Sequence, residues 1–360
     1  MRPVLTELGW TSALEEAFTE LVQQAPGRAL SCGRIVRQES LVRVQLEDRT
    51  VLAKPSKKLL RAAETGAELP VVGDFVTVTA PADDGIALIQ HVLPRRSVLM
   101  RREAGYERNA QAIAANVDEV FLLNGLDTKI NPRRIERMLA LTLASGAGAV
   151  IALSKADLAS DVDHAVAQVR AIAGDTPIVV LSAKEPSGQG VDEIVRRLGP
   201  GRTGVLIGPS GVGKSTLANR LIGEARLATS EVREDDREGR HTTTHRELFR
   251  LPGGGMLIDG PGMREFGLWT DDSGVAAVFE DIEALAQQCR FRDCAHLQEP
   301  GCAVQHALQT GALERSRYES WRKLQTEQAY QQRVADPSRR GPKPRGAHGF
   351  ERVRHDKKRS

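Results

Sequence analysis

Nine consecutive residues, Gly208-Pro209-Ser210-Gly211-Val212-Gly213-Lys214-Ser215-Thr216, constrain this chain more than any other stretch. They fit G-x-x-x-x-G-K-[ST], a glycine-rich turn whose backbone N–H groups close around phosphate. The apolar run Thr203-Gly204-Val205-Leu206-Ile207 before it reads as a buried strand. After it, Thr216 to Ile222 carries apolar residues at helical spacing. A strand, a tight turn and a helix N-terminus are the context this motif needs, because the helix dipole adds to the N–H groups in favouring an anion. The pattern therefore points to a nucleoside triphosphate, with Lys214 reaching the β- and γ-phosphates and the Ser215 hydroxyl holding Mg²⁺.

At 360 residues the chain exceeds one ordinary core, so two or three domains are expected. No apolar run approaches the ~18 residues of a membrane span, and Met1 to Glu7 lacks the apolar centre of a signal peptide. The expectation is a cytoplasmic protein with no membrane partner. Four cysteines in that compartment favour metal binding over disulfides. Charge is uneven. Residues Gln331 to Ser360 hold ten Lys or Arg against three Asp or Glu, a net of +7, which leaves −4 of the whole-chain +3 for residues 1–330. Such a tail is expected to be disordered and suits nucleic acid or solvent equally.

Taken in order, Thr11 to Gln24 predicts a packing helix with Leu14, Phe18, Leu21 and Val22 on one face. From Arg28 to about Ser97 the period changes to two. Leu41 to Leu46, Thr50 to Ala53, Phe75 to Val78 and Ala87 to Leu93 read as strands. About five short strands in so little chain predict a small barrel of the OB type. If RNA binds there, Arg34, Arg37, Arg43, Lys54, Lys57 and Lys58 would meet its phosphates. Cys32 reads as a small buried apolar residue. From about Asn116, strands and helices alternate: 117–123, a helix capped by Asn131 and running to Ala144, 149–153, 161–173, 177–181 and 191–198. This is a mostly parallel sheet with helices on its faces. The hairpin Glu247 to Leu251 and Met256 to Ile258 follows the polar stretch Thr229 to Gly239, which reads as a loop. The implied division is residues 1–27, a helical extension; 28–100, the barrel; 101–272, the α/β unit; 273–330, a helical unit; and 331–360, the tail.

Three further segments fit the phosphate loop. Asp259-Gly260-Pro261-Gly262 matches D-x-x-G at a strand end, where the aspartate would bind Mg²⁺ through water and the Gly262 N–H the γ-phosphate. Ser154-Lys155-Ala156-Asp157 resembles the guanine-reading N-K-x-D. Asp157 would accept from guanine N1–H and the exocyclic amine, groups adenine does not offer, while the Lys155 stem packs on the ring. Ser154 stands in the asparagine position, and a weakened base or loop contact is expected. Ser182-Ala183-Lys184 resembles the third guanine-contacting segment, with the Ala183 N–H facing O6. The chain order is 154–157, 182–184, 208–216, 239–244, 259–262, so the guanine-reading segments precede the phosphate loop instead of following it. That is a circularly permuted GTPase arrangement, possible because sheet order and not chain order brings strand ends together. In Gly239-Arg240-His241-Thr242-Thr243-Thr244, Thr243 or Thr242 would complete the Mg²⁺ shell. Met263 occupies the place of the glutamine that orients water in many GTPases, and a thioether cannot do this. Slow intrinsic hydrolysis is expected, with His241 the candidate to orient or activate water.

Cys289, Cys294, His296 and Cys302 give C-x₄-C-x-H-x₅-C, three thiolates and an imidazole suited to one closed, structural zinc site. The flanks, Asp281 to Gln288 and Ala303 to Tyr330, read as helices, and Arg290, Arg292, Arg315, Arg317, Arg322 and Lys323 give the unit a basic side.

With the motif order, the run Gly239 to Thr244, Asn131-Pro132-Arg133-Arg134-Ile135-Glu136-Arg137 and the Cys/His spacing all in place, the chain resembles the small ribosomal subunit biogenesis GTPases, the RsgA or YjeQ family. The resemblance covers about residues 28–330. It implies an N-terminal OB-fold barrel, a circularly permuted P-loop GTPase centre and a C-terminal helical zinc-binding domain. It further implies a monomer that hydrolyses GTP to GDP, stimulated by the small ribosomal subunit and its 16S rRNA late in maturation. Two other readings stand beside it. An ATP-using P-loop enzyme is disfavoured by Lys155-Ala156-Asp157, and a nucleotide-gated RNA-binding module with little catalysis is suggested by Met263.

Overall fold

A computed structural model describes residues 2–27, 29–63, 65–80, 85–102, 110–184, 188–223, 245–260 and 272–335. Two helices, α1 (Pro3–Glu7) and α2 (Ser12–Gln24), open the chain. The Thr11 hydroxyl caps α2 by accepting from the Leu14 N–H. Leu5, Leu8, Trp10, Leu14 and Phe18 are buried, and the Trp10 ring meets Phe75 edge-on at 5.4 Å. The extension is thus a packing element, as its apolar face implies.

The barrel follows: β1 (Leu30–Gln38), β2 (Val42–Gln45), β3 (Thr50–Pro55), the short α3 (Lys57–Ala62), β4 (Phe75–Thr79) and β5 (Ala87–Val92). Pairings run β1–β2–β3–β5–β4 and back to β1, which closes five strands around Ile35, Val44, Ala53, Val76, Val78 and Ile89. This is the five-stranded OB-type barrel that the alternation predicts. β1 carries no such alternation, because Cys32, Gly33, Arg34 and Ile35 are all buried. Its start pairs with β4 and its end, Arg37 and Gln38, pairs with Glu247 and Arg246 further along the chain.

A separate two-stranded sheet, β6 (Val98–Arg102) and β7 (Ala110–Ala115), has no counterpart in the sequence reading. Next come β8 (Glu119–Gly125), α4 (Pro132–Ala144), β9 (Gly148–Ser154), α5 (Val162–Ala173), β10 (Ile178–Val180), α6 (Val191–Arg197), β11 (Thr203–Ile207), α7 (Lys214–Ile222), β12 (Arg246–Arg250) and β13 (Met256–Asp259). The sheet order is β10-β9-β8-β11-β13-β12, parallel except for β12. Ile135 and Leu139 of α4 and Val169 of α5 belong to one core; Ile194 of α6 and Leu217 and Leu221 of α7 belong to another. Asn131 caps α4 by accepting from the Arg134 N–H, with Pro132 at the first turn as predicted.

The C-terminal unit comprises α8 (Asp272–Val278), α9 (Glu280–Ala286), α10 (Ala303–Thr310) and α11 (Arg315–Ala335). The helix read as continuous from Ala303 to Tyr330 is broken. Gly311 takes a left-handed φ of 76° and ends α10. Phe279, Ile282, Val304, Leu313, Tyr318, Trp321 and Leu324 form its core together with Ala140 of α4. Gly274 makes that docking possible, since a Cβ there would lie 2.0 Å from the Ala140 carbonyl oxygen.

Two arginines are not the surface cations that the sequence suggests. Arg34 is fully buried. Its guanidinium donates to the carbonyls of Gly73 (3.0 Å), Leu8 (2.6 Å) and Asn116 (3.1 Å) and lies over the Phe75 ring. Burial pushes it down to about 9, still charged at neutral pH. Arg317 is held between Asp281 at 2.7 Å and the buried Glu136 of α4 at 3.0 Å. Arg37 is drawn to Glu39 and Glu247. Arg43, Lys57, Lys58, Arg290, Arg292, Arg315, Arg322 and Lys323 do lie exposed, and Lys54 is half-buried.

Candidate nucleotide site and metal cluster

Every strand that brings a sequence motif to the site ends on the same edge of the parallel sheet, which is where open α/β sheets take ligands. β11 delivers Gly208 to Thr216, and Gly211 and Gly213 take left-handed φ values of 76° and 97° that fold the loop back before α7. Lys214 Nζ donates to the carbonyls of Gly208 (2.8 Å) and Pro209 (2.5 Å), so the ammonium sits within the turn. β13 runs parallel to β11, with Val205 opposite Ile258, and so ends in Asp259 beside the loop.

β9 ends in Ser154, which is buried. Its Oγ donates to the Val212 carbonyl at 2.8 Å and so ties this strand end directly to the phosphate loop. The Ser154 hydroxyl thus makes a loop contact of its own from the position where the motif carries asparagine. Lys155 follows in a left-handed conformation (φ 58°), and Ala156 opens the single turn Ala156–Leu158 that carries Asp157. Asp157 Oδ1 accepts from the Ser182 hydroxyl at 2.5 Å. Ala183, next along, gives its carbonyl to Arg220 of α7 at 3.1 Å. Segments 154–157, 182–184 and 208–216 are thus joined by side-chain hydrogen bonds although the first two precede the loop in the chain. Lys184 is exposed. His241, Thr242, Thr243, Gly262 and Met263 lie outside the described residues, as do the whole stretch Thr229 to Gly239 and the tail from 336 onwards.

Two contacts here escaped the sequence reading. Arg220 clamps the 182–184 segment, and Asp127, just past β8, pairs with Lys155. The position of Asp127 at the end of a parallel strand was the available signal.

The four sulfur and nitrogen donors of Cys289, Cys294, His296 and Cys302 lie within 4.8 Å of one another, a cluster that could hold a metal ion. Cys289 Sγ is 3.4 Å from His296 Nδ1 and 3.8 Å from Cys302 Sγ, and Cys302 Sγ is 3.5 Å from the same nitrogen. Cys302 also caps α10, its sulfur accepting from the Gln305 N–H. His296 is held in a left-handed turn (φ 56°) whose carbonyl accepts from Gln305 Nε2 at 2.6 Å and the Tyr318 hydroxyl at 2.5 Å. The Trp321 ring lies 5.6 Å from the imidazole. Burial lowers the His296 pKa, which favours the neutral ring a metal requires. These supporting residues come from α10 and α11, too far along the chain for spacing alone to assign.

Comparison with known proteins places this geometry. The family profile described as RsgA GTPase matches residues 92–269. The small ribosomal subunit biogenesis GTPase RsgA of Opitutus terrae is 44% identical over 343 residues, covering 92% of this chain and 92% of that relative. The protein of the same name from Methanosarcina acetivorans is 41% identical over 329 residues, 91% and 86% of the two chains. Among solved structures, YjeQ from Thermotoga maritima superposes with a TM-score of 0.59 at 28% identity, over 84% of this chain and 99% of that one. YloQ, described as a circularly permuted GTPase, shares the fold with a TM-score of 0.56 at 24% identity. With relatives above 40% identity along nine-tenths of its length and the permuted motif order built into one sheet edge, the chain belongs to the RsgA family of circularly permuted GTP hydrolases.

Proposed function

We propose that this chain hydrolyses GTP in the late maturation of the small ribosomal subunit, with the subunit and its 16S rRNA as the stimulating partner. The single observation that carries the nucleotide reading is the Ser154 Oγ–Val212 carbonyl bond, which fastens the base-reading strand end to the phosphate loop. Gly208 to Thr216 would wrap the phosphates, with Lys214 leaving the loop carbonyls for the β- and γ-phosphates. Asp157 would read the guanine N1–H and amine, oriented by Ser182, and the Ala183 N–H would meet O6. Ser215 and Thr243 would hold Mg²⁺, with Asp259 acting through water. That ion, when bound, neutralises charge developing between the β- and γ-phosphates. Gly262 would donate to the γ-phosphate, and His241 would orient water where Met263 does not.

Cys289, Cys294, His296 and Cys302 would hold one structural zinc ion. A tetrahedral ion with Zn–S bonds of about 2.3 Å sets sulfurs about 3.8 Å apart, and the Cys289–Cys302 separation of 3.8 Å supports that choice. The exposed Arg43, Lys57 and Lys58 on the barrel and Arg290, Arg292, Arg322 and Lys323 on the C-terminal unit supply cations for rRNA phosphates. Nucleotide state would reach both flanking units by short routes. β12, which begins two residues after Thr244, is paired with β1 of the barrel, and Asp259 to Gly267 runs on towards α8.

Single-turnover hydrolysis of GTP and ATP, with and without small subunits, tests this reading. Slow GTP turnover that rises sharply with subunits, and none with ATP, is the expected result. Equal turnover of ATP, or no response to subunits, would overturn it.

A further inference from the structure

The segment leaving β8 places a carboxylate beside the base-reading turn, and none of the roles assigned above uses it. Gly125 lies in register with Ser154, and the Leu126 N–H donates to the Ser154 carbonyl at 2.9 Å. The turn after β8 is therefore fixed to the root of Lys155. Asp127 folds back over Gly125: a Cβ at position 125 would stand 2.4 Å from Asp127 Oδ1, so a side chain there would push the carboxylate away. The same Cβ would lie 3.5 Å from Val212 Cγ2, so Gly125 also abuts the phosphate loop. Thr128 Oγ1 donates to the Gly125 carbonyl at 3.2 Å and closes the turn. The second oxygen, Asp127 Oδ2, takes the Lys155 ammonium at 2.6 Å, with both side chains 30% exposed.

We infer that Asp127 is a positioning residue for guanine nucleotide, acting through Lys155; the inference rests on the nucleotide reading above. A lysine stem has four rotatable bonds, and fixing it against a ring is entropically costly. Asp127 anchors the far end of that stem before any base arrives. The carboxylate does not touch the nucleotide. Its contribution is to lower the ordering cost of binding, and that contribution vanishes if the ammonium is absent.

The test is a double-mutant cycle read by equilibrium titration with fluorescent GDP. Asp127→Asn, Lys155→Met and the double variant are compared with wild type, and Asp127→Ser serves as a second truncation. For a half-exposed ion pair, Asp127→Asn should weaken GDP binding about 3- to 5-fold. The loss should appear in affinity and KM, not in kcat at saturating GTP, with the melting temperature unchanged. The double variant should bind no worse than Lys155→Met alone. Wild-type affinity in both Asp127 variants, or losses that multiply in the double variant, would overturn the role of Asp127 alone. If the wild type binds no guanine nucleotide, the functional reading itself falls and this inference with it.

Discussion

Ser154 shows how a single hydroxyl substitutes for a larger polar group. Its Oγ spans from β9 to the Val212 carbonyl at 2.8 Å because the phosphate loop packs close against that strand end. Ser154→Ala removes one neutral hydrogen bond, a net of about 0.5–1.5 kcal/mol. Guanine nucleotide affinity should therefore fall roughly 2- to 10-fold, by calorimetric titration, and the melting temperature should drop by a few degrees. Arg34 is the opposite case, a cation whose work is architectural. It joins the extension (Leu8), the barrel (Gly73) and the start of the α/β unit (Asn116) through carbonyls of residues that are themselves buried. Arg34→Met keeps the stem but strands the Leu8 and Asn116 carbonyls, while Gly73 keeps the Asn116 Nδ2 donor at 3.1 Å, and about 2–4 kcal/mol of stability should be lost in urea unfolding. Residue type alone misreads such a position, since arginine is rarely buried unless its donors are met. What meets them is three carbonyls from three distant parts of the chain, which no local pattern reveals.

At the level of elements, the legible pieces were those with a strong period and a recognisable end. α4 has its Asn131 cap and Pro132, β11 leads into a motif that demands a helix, and the barrel strands β2, β3 and β5 alternate. β1 was not legible because both of its faces are covered, and the β6–β7 sheet because the Ala-rich β7 carries little contrast. The break at Gly311 was readable in principle, glycine being the common residue one step past a helix end. The Cys/His cluster was legible from spacing, while the Tyr318, Gln305 and Trp321 that hold His296 were not. Because Cys302 both caps α10 and faces the other donors, metal and helix should be lost together. Treating the protein with a strong chelator should release one zinc per chain and cost helical circular dichroism, leaving the barrel and central sheet folded. Unchanged helicity after complete metal release would show that the apolar core suffices alone.

For the whole molecule, the C-terminal unit is docked on α4 through contacts of very different weight. Arg133–Glu319 and Arg137–Glu327 are solvent-facing or half-exposed pairs at 2.7 and 2.6 Å, and removing either arginine should change stability by no more than about 1 kcal/mol. Arg317 instead neutralises a Glu136 carboxylate that is 3% exposed and whose pKa burial raises. Arg317→Ala strands that charge, and a loss of about 3 kcal/mol is expected. It should appear as earlier proteolytic cleavage between the α/β unit and α8, with Glu136→Gln partly restoring resistance.

The two rungs between β1 and β12 carry a mechanical consequence. Most flanking domains hang from their neighbours by a tether and can swivel freely. Here the barrel is grafted onto the open margin of the central sheet, so tilting it means shearing a ladder whose outer strand, β12, begins two residues after Thr244. Pulling on one end should be felt at the other, and the covalent connector between them becomes free to vary in length without loosening the joint.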